Sequence, residues 1–162
     1  MNFIEAALEL EKRAIQIFHD LARQCASDEG INNILNMLAD DQEKHKQAIT
    51  EMLESSCGEK MSAQTFSRVK GFFERMQEDK KTFSCDLDQL NLYKQARDLV
   101  LKKQNLYTDM ADSVDCPGDR EVLRTIADQE RRQSIVLDNI IEMVNRPNSW
   151  LEDAEFNHLD EY

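Results

Sequence analysis

Glycine and proline are scarce, at 4 and 2 of 162 residues. An all-β chain needs many tight turns, and these turns need those residues, so a sheet protein is excluded. Long apolar runs are missing too. No stretch reaches the length of a bilayer span, and the first twenty residues mix Glu and Lys with apolar positions. They read as an amphipathic helix and not as a targeting peptide. Positive charge is in deficit. Lys and Arg number 20 against 32 Asp and Glu, for a net charge of −12. A nucleic-acid backbone or an anionic lipid surface would be repelled, so neither nucleic acid nor membrane is an expected partner. The four cysteines, Cys25, Cys57, Cys85 and Cys116, are far apart and include no C-x-x-C pair. No zinc signature is present, and the expectation is reduced thiols in a cytoplasmic protein.

What is present is helical periodicity. Residues 1–162 are expected to form one domain. Its parts are a helix pair over 2–54, a crossover over 55–87, a second helix pair over 88–145 and a docking helix over 149–162. In the first helix Ile4, Leu8, Glu11, Ile15, Phe18, Ala22 and Cys25 share a face. In the second, Ile31, Leu35, Leu38, Gln42, His45, Ile49 and Met52 are spaced 4-3-4-3-4-3. Ser27-Asp28 offers its N-cap. The connection between these helices is too short for anything but antiparallel neighbours. In the crossover, Ser62 caps a shorter segment with Phe66, Val69, Phe73 and Met76 on one face, ended by Lys80-Lys81-Thr82. The third long helix carries Tyr93, Ala96, Val100, Gln104, Tyr107, Ala111 and Val114. The fourth opens at Pro117 and carries Leu123, Ile126, Glu130, Gln133, Leu137, Ile140 and Val144, until Arg146-Pro147 stops it. The fold class is all-α, an antiparallel four-helix bundle with one long crossover.

Polar residues interrupt these seams. Glu11 sits in the centre of the first stripe, Gln42 and His45 in the second, Glu130 and Gln133 in the fourth. Buried amides, imidazoles and carboxylates are costly unless they bond one another or hold a metal. His19 and His158 fall off the seams and read as surface residues. The string also contains Asp40, Asp41 and Glu43, but helical geometry turns these away from Gln42 and His45. A weak repeat links the two halves. Ala39-x-x-Gln42-x-x-His45 recurs 88 residues later as Ala127-x-x-Glu130-x-x-Gln133.

With Glu11 seven residues before Phe18, the Ala-x-x-[Glu]-x-x-[His] slots of the second and fourth helices and Arg-Pro-Asn-Ser-Trp-Leu-Glu-Asp-Ala-Glu-Phe near the C-terminus, the chain resembles the rubrerythrin-related branch of the ferritin-like superfamily. The resemblance implies a ferritin-like bundle. It also implies a centre in which the first and third helices each give a Glu, and the second and fourth each give Glu-x-x-His, around two iron or manganese ions. Here Glu11, His45 and Glu130 keep their slots. Gln42 and Val100 occupy Glu slots and Gln133 a His slot. Phe18 and Tyr107 take the nearby aromatic positions. Two carboxylates bring −2 against the +4 of two divalent ions, so a di-metal centre is not expected. The favoured state is metal-free, with Glu11, Gln42, His45, Glu130 and Gln133 in one hydrogen-bond cluster. The alternative is one iron, manganese or zinc ion on Glu11, His45 and Glu130. The function expected from this is a non-catalytic or at most single-metal relative with a scaffold or interaction role. The competing reading is an active non-haem iron oxidoreductase acting on peroxide or oxygen. Without rubredoxin-type cysteines, it would need a separate electron donor. The resemblance also implies a homodimer.

Overall fold

The computed structural model describes residues 2–54, 63–82 and 88–156. Five α-helices account for nearly all of them: α1 Phe3–Gln24, α2 Glu29–Leu53, α3 Ala63–Thr82, α4 Gln89–Ser113 and α5 Pro117–Phe156. Their starts are chemically marked. Asn2 accepts from the Glu5 N–H at 2.7 Å while the Glu5 carboxylate accepts from the Asn2 N–H at 2.9 Å, a reciprocal capping box. Asp28 caps α2 through the Ile31 N–H at 3.1 Å, and Asp88 caps α4 through the Asn91 N–H at 2.9 Å. Pro117 opens α5, where its missing N–H costs nothing.

The short turn after Gln24 folds α2 back along α1, and the three residues after Ser113 fold α5 back along α4. The two hairpins then meet. Tyr107 reaches Ala7 while Lys103 reaches Glu11, so α1 and α4 run antiparallel. Gln42 reaches Gln133 while His45 reaches Glu130, so α2 and α5 do as well. Helix α3 lies against α1 and α4. This is the expected antiparallel bundle with a crossover between its halves.

Burial is broader than the seams suggested. Helix α1 buries Phe3, Ala6, Ala7, Leu10, Ala14, Ile17 and Leu21 in addition to most of its seam. A seven-position stripe describes a helix with one partner face, whereas α1 touches α2, α3 and α5 as well as the side chains of α4. In the crossover Val69 is buried but Phe66 is exposed. The side chains of Phe73 and Met76, and the cap Ser62, lie outside the described residues.

Two expectations are corrected. Helix α5 does not stop at Arg146-Pro147 but continues to Phe156. An internal proline forfeits one backbone bond and kinks a helix more readily than it ends one. The side chains after Asn145 and all residues after Phe156, His158 among them, lie outside the described residues, and with them the docking of the tail. Secondly, the cysteines do not all remain thiols. Cys25 and Cys116 are both disulfide-bonded, and the described residues contain no free cysteine. The cytoplasmic assignment rested on reduced thiols and loses that support. No helix among the described residues is long and apolar enough to cross a membrane.

Candidate functional site

The polar seam residues converge at mid-bundle. Glu11 comes from α1, Gln42 and His45 from α2, Glu130 and Gln133 from α5. Glu11, Gln42 and Glu130 are fully buried, and His45 is 4% exposed. Positions three apart on a helix face the same side, so α2 and α5 each aim two side chains inward. Glu11, His45 and Glu130 each offer one ligand atom, and these atoms lie within 4.8 Å of one another. His45 Nδ1 is 3.1 Å from Glu130 Oε1 and 3.7 Å from Glu11 Oε2. Val100 is also fully buried and offers no polar atom.

One residue at the centre was absent from the seam reading. Lys103 of α4 is fully buried, and its ammonium lies between the carboxylates. Nζ donates to Glu11 Oε2 at 3.1 Å, to Glu130 Oε1 at 2.7 Å and to Gln42 Oε1. An ammonium has three donors, and here each has an acceptor from a different helix. The sequence signal was available. Lys103 is three residues beyond Val100 and four before Tyr107, so it shares their face. A strict 3-4 alternation from Tyr93 runs through Ala96, Val100, Lys103 and Tyr107, and the seam drawn through Gln104, which is only half-buried, breaks it.

The amides complete the cluster. Gln42 Nε2 donates to Gln133 Oε1 at 3.0 Å, and Gln133 Nε2 donates to Asp41 Oδ2 at 2.8 Å. A polar relay thus runs from Lys103 at the centre to Asp41 at the bundle surface. Asp41 has no bond to Gln42 or His45 among the described residues, yet it is not outside the group. It joins through Gln133 on the opposite helix, a partner that the spacing within α2 does not show. The Tyr107 hydroxyl donates to Glu11 Oε1 and lies 3.2 Å from the Ala7 carbonyl oxygen. Phe18 is buried in the apolar core, and His19 is half-buried. Glu130 Oε2 is buried without a hydrogen-bond partner among the described residues.

Electrostatics follow from this geometry. Burial raises the Glu11 carboxyl, but the Lys103 ammonium, then His45 and the Tyr107 hydroxyl, outweigh it and hold the group below its ordinary 4.5. Burial lowers the His45 imidazole, yet hydrogen bonds and charges from Glu11 and Glu130 raise it to about 9. Burial likewise opposes the Lys103 charge, and the two carboxylates overcome it and raise the group above its ordinary value. Burial and the neighbouring Glu11 charge push the Tyr107 hydroxyl well above 10.0, so it remains a donor. At neutral pH two cations face two carboxylates. Replacing Tyr107 by phenylalanine removes one donor from buried Glu11. The expected loss is about 1–3 kcal/mol in urea-unfolding stability; an unchanged midpoint would show that this hydroxyl does not hold Glu11.

An antiparallel helical bundle with a buried carboxylate and imidazole group at its centre defines the class of ferritin-like four-helix proteins. The rubrerythrin family model matches residues 2–140, and the chain belongs to that family. No curated protein and no solved structure matches it significantly.

Proposed function

We propose that this chain is a non-catalytic member of the rubrerythrin family, in which an internal ammonium takes the place of the metals. The observation that carries the reading is Lys103 Nζ, 2.7 Å from Glu130 Oε1 and 3.1 Å from Glu11 Oε2. A divalent ion on those carboxylates would lie about 2.0–2.2 Å from their oxygens. It would then be in contact with a buried like charge, whose repulsion is poorly screened. The family-type donor set does not fit either. Gln42 is a neutral amide already bonded on both sides, Val100 has no donor atom, and Gln133 stands in a His slot. On this reading the bundle serves as a scaffold or interaction module, alone or as a homodimer. Its charge of −12 favours protein or small-molecule partners over nucleic acid.

A second reading has an observation of its own. Glu11, His45 and Glu130 form a two-carboxylate, one-imidazole set, donor types that non-haem iron accepts, and Glu130 Oε2 is unpaired among the described residues. A single iron, manganese or zinc ion there would require Lys103 to swing out or lose its proton. With iron, oxidoreductase chemistry on peroxide or oxygen would follow, using a separate electron donor.

Elemental analysis after aerobic and anaerobic iron loading separates the two. The expected content is far below one metal per chain. One ion per chain, lost in His45→Ala, would establish the second reading, and two would overturn both.

A further inference from the structure

Cys25 and Cys116 are both buried and both disulfide-bonded, within a structure of one chain. A single bond between the two is the obvious pairing, and the bundle forbids it. Helix α1 ends at Gln24, just before Cys25, while the antiparallel α4 ends at Ser113, just before Cys116. The Tyr107 hydroxyl lies 3.2 Å from the Ala7 carbonyl oxygen, which puts these two residues at one level of the bundle. From that level Cys25 lies toward one end and Cys116 toward the other. At 1.5 Å per residue the two are separated by about 30 Å. A disulfide holds its Cα atoms about 4.4–6.8 Å apart. Cys25 and Cys116 therefore belong to two different bonds.

The sequence contains two other cysteines, Cys57 and Cys85, both outside the described residues. Chain reach assigns them. Cys85 stands four positions before Gln89, the first residue of α4, a reach of about 14 Å at full extension. That start is at the Cys25 end of the bundle, since a Cβ on Gly30 of α2 would meet Gln89 Nε2 at 3.7 Å. Cys57 stands four positions after Leu53, the last residue of α2, with the same reach. That end of α2 is level with the start of α5, and so with Cys116, because α2 and α5 run antiparallel. Helices α2 and α4 are each about 37 Å long, so neither cysteine can reach the opposite end.

We infer that the chain carries two disulfides, Cys25–Cys85 and Cys57–Cys116, one at each end of the bundle. The first ties the α1–α2 turn to the entry of α4, and the second ties the exit of α2 to the start of α5. Both ends of the connection that contains α3 are thereby fixed to the long helices. Each bond closes a loop of about 60 residues, a size at which a cross-link strongly restricts the unfolded chain. Among the described side chains of α3 only Val69 is buried; Phe66 is exposed, and Arg68 meets Asp109 at the surface. Packing alone holds this helix weakly, and the two bonds are its main restraint. Each bond forms as two thiols give two electrons and two protons to a disulfide oxidant. A dithiol returns them and closes to its own disulfide, so full reduction yields four thiols. The inference goes beyond the proposed function and is independent of any metal at the polar centre.

Peptide mapping of the full chain without reductant, after thiols are blocked with iodoacetamide, tests the pairing. Linked peptides joining Cys25 to Cys85 and Cys57 to Cys116 are expected. A peptide joining Cys25 to Cys116 or Cys57 to Cys85, a bond between two copies of the chain, or cysteines alkylated in most molecules would overturn it. Limited trypsin digestion tests the restraint on α3. With dithiothreitol present, cleavage after Arg68 or Lys70 is expected to accelerate roughly tenfold or more, while cleavage after Arg13 of α1 and Arg124 of α5 keeps its rate. The same pattern is expected without reductant when all four cysteines are replaced by alanine. Unchanged cleavage in α3 would show that packing holds it, and equal acceleration in every helix would show that the bonds hold the whole bundle. Either result defeats the assigned restraint. No readout here depends on metal content, so failure of this inference is distinguishable from failure of the proposed function.

Discussion

Lys103→Met is expected to destabilise the metal-free protein by about 3–5 kcal/mol, because it strands two buried carboxylates beside a single imidazolium. Methionine has nearly the length of the lysine stem, so packing is largely kept and the loss is electrostatic. On the proposed reading the same variant is expected to gain a metal site that the ammonium blocks in the wild type. With the ammonium gone, Glu11, His45 and Glu130 present −2 and a neutralisable imidazole to the emptied centre, and manganese or zinc should bind and restore the urea midpoint. Urea unfolding of both proteins, with and without each metal, measures the two effects together. Equal metal affinity in wild type and Lys103→Met would show that the ammonium does not exclude metal. Adding Glu11→Gln and Glu130→Gln to Lys103→Met should recover much of the lost stability, since a buried charge cluster removed as a unit costs far less than one partner removed alone.

Alkaline pH is expected to weaken the fold well before lysine or tyrosine titrates. His45 is raised to about 9 in the folded protein from an ordinary 6.5. Below 6.5 the folded and unfolded chains both hold the proton, and the contribution of the imidazolium is fully present. As pH rises from there to 9 the unfolded chain releases its proton first, and stability falls. The total is on the order of 3 kcal/mol. On the acid side the sign reverses. Glu11 is held below its ordinary value, so its contribution is present above about 4.5 and fades as pH falls through the lower folded value. Stability should therefore be highest between roughly pH 4.5 and 6.5 as far as these two groups decide it. Urea midpoints across this range check the shape, and His45→Gln should flatten the alkaline limb. A wild-type midpoint constant between pH 6.5 and 9 would contradict the pairing of His45 with the two carboxylates.

Much of this architecture was readable from spacing. The helices α1, α2 and α4, and the hairpin layout, follow from apolar periodicity and, for α2, from the cap at Asp28, which are local signals. Glu11, His45 and Glu130 announced themselves as polar residues at seam positions. Lys103 did not, because a lysine even at a seam position usually reaches solvent, and its burial makes sense only once carboxylates from α1 and α5 are brought to it. Asp41 was missed for the same reason, since its partner Gln133 is on another helix. The disulfides of Cys25 and Cys116 had no local spacing to reveal them. The passage of α5 through Pro147 was hidden because proline is a strong breaker on average and not in every helix.

The tripod at Lys103 also fixes how the centre is supplied. Its cation is written into the chain and arrives with translation, one per molecule, whatever the surrounding medium contains. It has a single valence state, so it takes up no electron and releases none. On the proposed reading a chelator would find nothing to remove from it, and a shortage of iron would leave it complete. The middle of the bundle would then be finished when the chain folds, without a loading step.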